Sequence, residues 1–290
     1  MIAYLPVFAT VATAYRFLLR EIATVIRLAW FPFLVVAIVQ YFAAEAMLDG
    51  LAVDGAATAG QTIASPYDFV EWIVQVVVLA IVGVSLYRLI LFGDRKPGQY
   101  IAFAFGRSEV LFIVLQVIVF AGFLLVGLAW AIAFGNPEVA LTGWSAASPI
   151  LIVVLNVVVL VYLLTRFSLV YPIVLAENRL DFLRSLEMTR GQFWRLLAVY
   201  VLGLLPLALL IGALEAGFWL LVLNDVSPKE LPSDQAIAIT KGLIVYQVGI
   251  FYVGAISASG LTAALLSYSY KALRGLKPDD LLTPEYQVRP

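Results

Sequence analysis

The sequence contains neither cysteine nor histidine. Their absence excludes disulfides, thiol nucleophiles, Cys/His zinc sites, iron–sulfur clusters and catalysis by a histidine base. Charge is also scarce, since Asp, Glu, Lys and Arg make up 13% of the 290 residues, about half their share in a soluble domain. Because the formal net charge is -1 and no block of like charges occurs, nothing points to a nucleic-acid partner.

What the sequence has instead is apolar surface. Hydrophobic residues make up 63% of the chain, and the mean hydropathy is +1.00. A soluble core cannot hide this much apolar surface, because too few polar residues remain to cover it. The apolar runs are long and continuous rather than alternating, which argues against the strands of a membrane barrel. The composition therefore predicts an all-α membrane protein.

Six apolar stretches are long enough to cross the membrane. A spanning helix needs about 20 mostly apolar residues to cross about 30 Å of hydrocarbon. The six stretches are Trp30–Leu48, Phe69–Leu91, Val110–Phe134, Ile150–Ala176, Leu196–Leu223 and Gly242–Tyr268. We therefore predict one integral membrane domain over residues 1–290, a polytopic bundle of six transmembrane helices. Residues 1–28 form a cytoplasmic amphipathic arm, 29–270 the six-helix bundle and 271–290 a cytoplasmic tail.

The basic residues predict how the bundle is oriented. Of the 18 Lys and Arg residues, all but Lys229 and Lys241 lie in the N-terminal segment, the second and fourth connections with their flanks, or the C-terminal tail. The positive-inside rule then places both termini in the cytoplasm, and we expect a bacterial inner-membrane location. The first residues, Met1-Ile-Ala-Tyr-Leu-Pro, have no basic n-region, so we expect no cleaved signal peptide.

Amphipathic segments precede the first and fifth spans. In residues 8–27 an apolar face opposes a polar one, and the basic members of the polar face are Arg16, Arg20 and Arg27. We expect this helix to lie in the headgroup plane before it turns into the first span. Residues 178–192 repeat the pattern, with Gly191 ending or bending the helix, and 98–107 are a more apolar version. The pattern suggests three repeats, each a cytoplasmic interfacial helix followed by a transmembrane hairpin, with starts near residues 10, 98 and 178.

The stretch from Arg166 to Leu197 resembles a segment shared by uncharacterised bacterial six-span membrane proteins. Those proteins are related to the membrane domain of some glycerophosphoryl diester phosphodiesterases. The residues that carry the resemblance are Arg166, Pro172, Glu177, Ser185, Thr189, Gly191 and Trp194. The resemblance implies a six-span inner-membrane fold. It does not imply phosphodiesterase activity, because that catalytic domain is separate and depends on histidine.

Charged residues within or beside the spans are the candidates for binding a ligand or coupling to an ion. A charge in hydrocarbon costs several kcal/mol unless it is paired, hydrated or able to snorkel. Arg166 lies about 15 Å inside Glu177 along a straight helix; it either snorkels and caps carbonyls freed by Pro172, or binds a lipid phosphate or substrate carboxylate. Glu215, in the fifth span, is either hydrated or hydrogen-bonded to another span, or it couples to a proton or cation.

Two functions from different classes remain. The sequence has no phosphate-binding glycine loop followed by lysine, no Gly-x-Ser-x-Gly and no carboxylate cluster. We therefore expect no catalytic residue, no metal site, no cofactor and no enzymatic activity. The first hypothesis is a non-enzymatic envelope protein, a lipid-associated scaffold or accessory subunit, whose partners are membrane lipids and a membrane protein. The second is a transporter or flippase-like carrier of a small apolar or anionic, lipid-like substrate.

Overall fold

The computed structural model describes residues 4–54, 66–93, 106–134, 147–225 and 233–275. Within these residues the regular structure is helical. The helices are α1 (Val7–Asp54), α2 (Pro66–Phe92), α3 (Arg107–Phe134), α4 (Ala147–Phe167), α5 (Val170–Glu177), α6 (Phe182–Met188), α7 (Phe193–Asp225) and α8 (Ser233–Leu273).

Six segments of these helices are long and apolar enough to cross a membrane. They are Val7–Ala46, Phe69–Phe92, Arg107–Leu125, Val154–Glu177, Phe193–Leu220 and Lys241–Leu273. The prediction of an all-α protein with six long apolar helices is therefore confirmed. The chain is a multi-pass membrane protein, and lipids are expected to surround its apolar faces.

The N-terminal arm is not separated from the first span. Helix α1 runs without a break from Val7 to Asp54, so the expected turn after residue 27 does not occur. Pro32 lies inside α1, and because proline removes one helical hydrogen bond, a bend is favoured there rather than an end. The predicted basic face is exposed, but Ile22 on the predicted apolar face is 40% exposed. Leu18 and Val25 of that face are buried as predicted, and Thr10 and Ala14 are buried as well.

Helix α8 covers the buried face of α1. Near one end of the pair the rings of Phe17 and Tyr268 are in edge-to-face contact, with centroids 6.2 Å apart. Further along, the Tyr252 hydroxyl donates a hydrogen bond to the Trp30 carbonyl (3.0 Å). At the other end Lys241 Nζ lies 2.8 Å from Glu45 Oε1.

These contacts move backwards along α8 as they move forwards along α1, so the two helices are antiparallel. The first and last long helices stay in contact from Phe17 to Glu45, about 42 Å of helix. The arm packs into the bundle instead of lying apart from it.

Helix α7 also packs along α8. The Tyr15 hydroxyl of α1 donates a 2.7 Å hydrogen bond to the Gly203 carbonyl of α7. A Cβ on Gly203 would lie 2.5 Å from a Leu265 methyl carbon, so the two helices approach closely here. At the other end the rings of Phe218 and Tyr246 stack, with centroids 3.6 Å apart. Helix α8 is therefore antiparallel to both α1 and α7, and the three helices pack together.

One end of the bundle is packed much more tightly than the other. We call it the basic end; it comprises the start of α1, the end of α2, the start of α3, the α4–α5–α6 connection, the start of α7 and the end of α8. The basic end holds nearly all described buried residues of α3, α7 and α8. Towards the opposite end, residues 121–125 of α3 and 212–217 of α7 are exposed one after another. Consecutive exposure means that few of the described residues pack around these stretches; in α7 the Leu214 carbonyl still accepts a 3.0 Å hydrogen bond from the Tyr246 hydroxyl of α8.

The threefold repeat stays a prediction. The first proposed interfacial helix is continuous with its span, whereas the third is the separate helix α6 of seven residues. The second, residues 98–107, lies almost wholly outside the described residues. The same holds for most of the tail, since residues 276–290 are not described.

Candidate functional site

The fourth span is interrupted close to Arg166. Helix α4 ends at Phe167 and α5 begins at Val170. Proline has no N–H and its ring crowds the carbonyl four residues earlier, which for Pro172 is the carbonyl of Ser168. The break therefore falls where Pro172 prevents the helical bond, and Pro172 itself sits in the first turn of α5, where proline is tolerated. The straight helix assumed between Arg166 and Glu177 is thus absent.

Arg166 is joined to the α6 region by two hydrogen bonds of opposite direction. Its guanidinium Nη1 donates to the hydroxyl Oγ1 of Thr189 at 2.9 Å. The Ser185 hydroxyl donates to the backbone carbonyl of Arg166 at 2.7 Å. The guanidinium carbon also lies 5.8 Å from the centroid of the Tyr162 ring, within the range of a cation–π contact. We call this arrangement the Arg166 clasp; it consists of Arg166, Ser185 and Thr189.

The local fold around α6 positions the two hydroxyl groups. Asp181 caps α6, its carboxylate accepting a 2.9 Å hydrogen bond from the Arg184 N–H. Ser185 and Thr189 follow on one face at i, i+4 spacing, and both are completely buried. Thr189 Oγ1 donates to the Ser185 carbonyl at 2.8 Å, which leaves its lone pairs for Arg166. Gly191 then turns the chain with φ of 75°; the chain bends there as predicted, although α6 itself has already ended at Met188.

Part of the Arg166 guanidinium remains unused by the clasp. Its Nε is buried and has no hydrogen-bond partner among the described residues. The sequence left two interpretations of Arg166 open, a structural role and the binding of a phosphate or carboxylate. The described contacts support the structural role, in which the arginine holds the end of α4 in place. The fastening runs through Thr189 and Ser185 rather than through carbonyls freed by Pro172.

Glu177 lies in a separate group of charges. It ends α5 and is followed by Asn178 in the left-handed conformation, φ 51°. Arg184 Nε lies 2.9 Å from one carboxylate oxygen of Glu177, and Arg179 Nη2 lies 3.0 Å from the other. Arg179 also pairs with Asp181 at 3.2 Å. Because both arginines are substantially exposed, each pair contributes little to stability, about 0–1 kcal/mol.

Glu215 lies far from both groups. It is in the exposed stretch of α7, about 33 Å along the helix from Phe193, where α7 begins beside Thr189. Its carboxylate makes no hydrogen bond or ion pair with any residue that the structure describes. The structure therefore does not bring Arg166 and Glu215 together, and it places Glu177 with other charges.

Two polar contacts at the basic end were not predicted. Arg88 of α2 pairs with the buried Glu109 at 3.2 Å, and Glu109 also accepts a hydrogen bond from the Gly106 N–H at 3.0 Å. Glu109 thus makes the backbone contact of a capping box, three residues into the turn that begins α3, a signal that was readable in the sequence. Lys271, almost fully buried, donates a 2.8 Å hydrogen bond to the Ile90 carbonyl. That pairing joins distant helices, so no local signal predicts it.

The Arg166 clasp offers two hydroxyl groups and one guanidinium, and it contains no carboxylate. In the part of the chain that the structure describes, no group of three or more potential ligands could hold a metal ion. The chain matches no protein-family model, no curated protein and no solved structure.

Proposed function

We propose that this multi-pass membrane protein is a non-enzymatic, lipid-associated scaffold or accessory subunit of the bacterial inner membrane, with both termini in the cytoplasm. The observation that carries the proposal is the contrast between the tightly packed basic end and the exposed stretches of α3 and α7 at the other end of the bundle. Leu124 and Leu125 of α3, and Leu209 and Leu210 of α7, are each more than half exposed. A surface of this kind is available to acyl chains or to the helices of another membrane protein.

The Arg166 clasp supports a structural role for the basic end. It uses Arg166 to fix the connection between the fourth and fifth crossing segments, and Glu177 is likewise engaged by neighbouring arginines. As part of the same proposal we retain the kinship with the membrane domain of some glycerophosphoryl diester phosphodiesterases, whose quoted residues include the three members of the clasp.

A carrier of a small apolar or anionic substrate is the second candidate. Glu215 favours it, because a carboxylate in an apolar helix is rarely placed there without a function. A carrier would also need a polar path that connects Glu215 with the basic end. The fastening of Arg166 to Thr189 weighs against that path.

Photo-crosslinking in membranes tests the scaffold proposal. A photoreactive side chain at Leu125 should yield the same adduct, with a phospholipid or with one membrane protein, in repeated preparations. The same probe at Leu115, which is 1% exposed on the same helix, should yield none. If Leu125 gives no recurrent adduct and the protein purifies in mild detergent as a monomer without lipid, the scaffold proposal is wrong.

A further inference from the structure

Three arginines of α1 share one face of the helix. Arg16, Arg20 and Arg27 recur at spacings of four and seven residues, and Ala23 lies between the last two on the same face. All four residues are exposed, and the Arg20 side chain is 73% exposed. We call this row the arginine stripe; it consists of Arg16, Arg20, Ala23 and Arg27.

The stripe lies opposite the face of α1 that packs into the bundle. The same part of α1 buries Ala14, Leu18 and Val25, which lie about half a turn from the arginines at 3.6 residues per turn. Leu18 and Val25 pack against Gly260 of α8, where an added Cβ would be 3.1 Å and 2.9 Å from their methyl carbons. The contacts of α1 with α8 therefore leave the arginine stripe facing outward.

The depth of the stripe in the membrane follows from the charges along α1. The next charged residue after Arg27 is Glu45, which pairs with Lys241 of α8 at 2.8 Å. Both partners of this ion pair are partly exposed, which suits the headgroup layer rather than hydrocarbon. About 44 Å of helix separate Glu45 from Arg16, and a bilayer with both headgroup layers is about 40–45 Å thick. Arg16 and Arg20 therefore lie at the opposite headgroup layer, and Arg27 reaches it because its side chain leans towards the N-terminus.

Apolar side chains run beside the arginines. Leu19, Ile22 and Ile26 follow one another at spacings of three and four residues, and all three are exposed. They adjoin the arginine stripe on one side of α1. Exposed apolar side chains next to exposed guanidinium groups match a phospholipid, because its acyl chains and its phosphate occupy adjoining layers of the membrane.

The acidic residue within this part of α1 does not cancel the charge of the stripe. Glu21 faces inward, since its side chain is only 12% exposed, and its carboxylate accepts a 3.1 Å hydrogen bond from the Thr24 hydroxyl. Its distance from Arg20 Nε is 4.0 Å. An ion pair this long with an exposed arginine is weak, so the stripe presents positive charge to the headgroup layer.

We propose that the arginine stripe binds the phosphate of an anionic phospholipid. Arg20 and Arg27 are about 10 Å apart along the helix, and the small side chain of Ala23 leaves space for a phosphate between them. Guanidinium groups donate paired, charge-assisted hydrogen bonds to phosphate oxygens. An anionic lipid is favoured over a zwitterionic one, because the latter brings its own cation to the arginines. The inference names the lipid class for the lipid association proposed above and rests on that proposed function.

Lipid titration followed by native mass spectrometry tests the proposal. The purified, delipidated protein should bind phosphatidylglycerol more tightly than phosphatidylcholine with the same acyl chains. Arg20→Gln should reduce that preference about fivefold, the share expected of one arginine at an anionic surface. Arg190→Gln is the matched control, because Arg190 is exposed at the basic end but lies outside the stripe. Loss of the same charge there should change the preference less than about twofold.

A second test leaves all the arginines in place. Ala23→Glu puts a carboxylate between Arg20 and Arg27 and should abolish the preference, whereas Ala23→Gln, of the same size without the charge, should lower it less. Unchanged phosphatidylcholine binding shows that each variant is folded. Equal binding of the two lipids by the wild type, or equal effects of Arg20→Gln and Arg190→Gln, overturns the proposal. Such a failure leaves the scaffold proposal standing, because the Leu125 crosslinks report on the other end of the bundle.

Discussion

The guanidinium of Arg166 donates a 2.9 Å hydrogen bond to the buried hydroxyl of Thr189, and this contact ties the end of α4 to the turn that precedes α7. Two residues that are 23 positions apart are thus fixed at the basic end of the bundle. The same hydroxyl caps the turn after α6, so one small side chain holds both the turn and the arginine.

Replacing Thr189 should loosen this connection. Thr189→Val keeps the volume but removes the acceptor of Arg166 and the donor to the Ser185 carbonyl, which leaves buried polar atoms unsatisfied. The free energy of unfolding should fall by about 1–3 kcal/mol, measured by tryptophan fluorescence during denaturation in detergent. Thr189→Ser retains the hydroxyl, so its free energy of unfolding should stay much closer to the wild-type value. If Thr189→Val is as stable as wild type, the clasp does not contribute to stability.

The packing of the N-terminal arm on α8 predicts a specific disulfide. A Cβ at position 260 would lie 2.9 Å from a methyl carbon of Val25, which brings the two Cβ atoms into the range that a disulfide spans. The double variant Val25→Cys with Gly260→Cys should therefore crosslink within one chain on oxidation, seen as a mobility shift that a reductant reverses.

Pairing Val25→Cys with Gly249→Cys provides the control for that experiment. Position 249 is about 16 Å away along the same helix, so no intramolecular bond should form. Should the arm lie apart on the membrane surface, as the sequence pattern alone suggested, neither pair would crosslink.

The closeness of α1 and α8 also predicts that Gly260 tolerates no larger residue. In Gly260→Ala the new methyl group would press on Val25, whose branched side chain has few alternative rotamers, and on Leu18, whose methyl carbon would lie 3.1 Å away. We expect a loss of about 1–3 kcal/mol in the free energy of unfolding. Gly249→Ala meets nothing within 4 Å and should be neutral or more stable by up to about 1 kcal/mol, because alanine favours helix. Equal effects of the two substitutions would contradict the described contact.

The orientation proposed for the bundle can be read by labelling single cysteines in spheroplasts. Ser227→Cys, in the connection between α7 and α8, should react with a membrane-impermeant maleimide. Arg107→Cys, at the basic end, should react only after the membrane is permeabilised, because the basic residues favour the cytoplasmic side. Labelling of Arg107→Cys in intact spheroplasts would reverse the topology.

The six spans could be predicted from the sequence because hydrocarbon imposes a minimum length of apolar helix on every crossing. The exposed basic face of the arm also follows from helical periodicity. Most of its buried face follows too, since Leu18 and Val25 are buried as predicted, but the burial of Thr10 and Ala14 does not follow from their hydropathy. Small and weakly polar residues carry little hydropathy, yet they are favoured where two membrane helices touch.

The candidate residues illustrate a second limit of sequence reasoning. Arg166 and Glu177 were recognised as costly charges, and the break near Ser168 was implicit in Pro172. The hydrogen bond from Arg166 to Thr189 depends on how α6 folds back on α4. This is a tertiary contact between residues distant in the sequence, and no periodic pattern predicts it. Glu215 was recognised from the apolar sequence around it, but a single chain contains nothing in its described part that shows what it touches.

The partnership between α1 and α8 has a consequence for biogenesis. The helix made first leaves Phe17, Val25 and Trp30 without their neighbours until the last helix has been synthesised. A nascent chain truncated before α8 would therefore present an unfinished first helix to the insertion machinery. Tyr252 follows Trp30 by 222 positions, so the pairing of α1 with α8 forms only after the intervening helices have been synthesised.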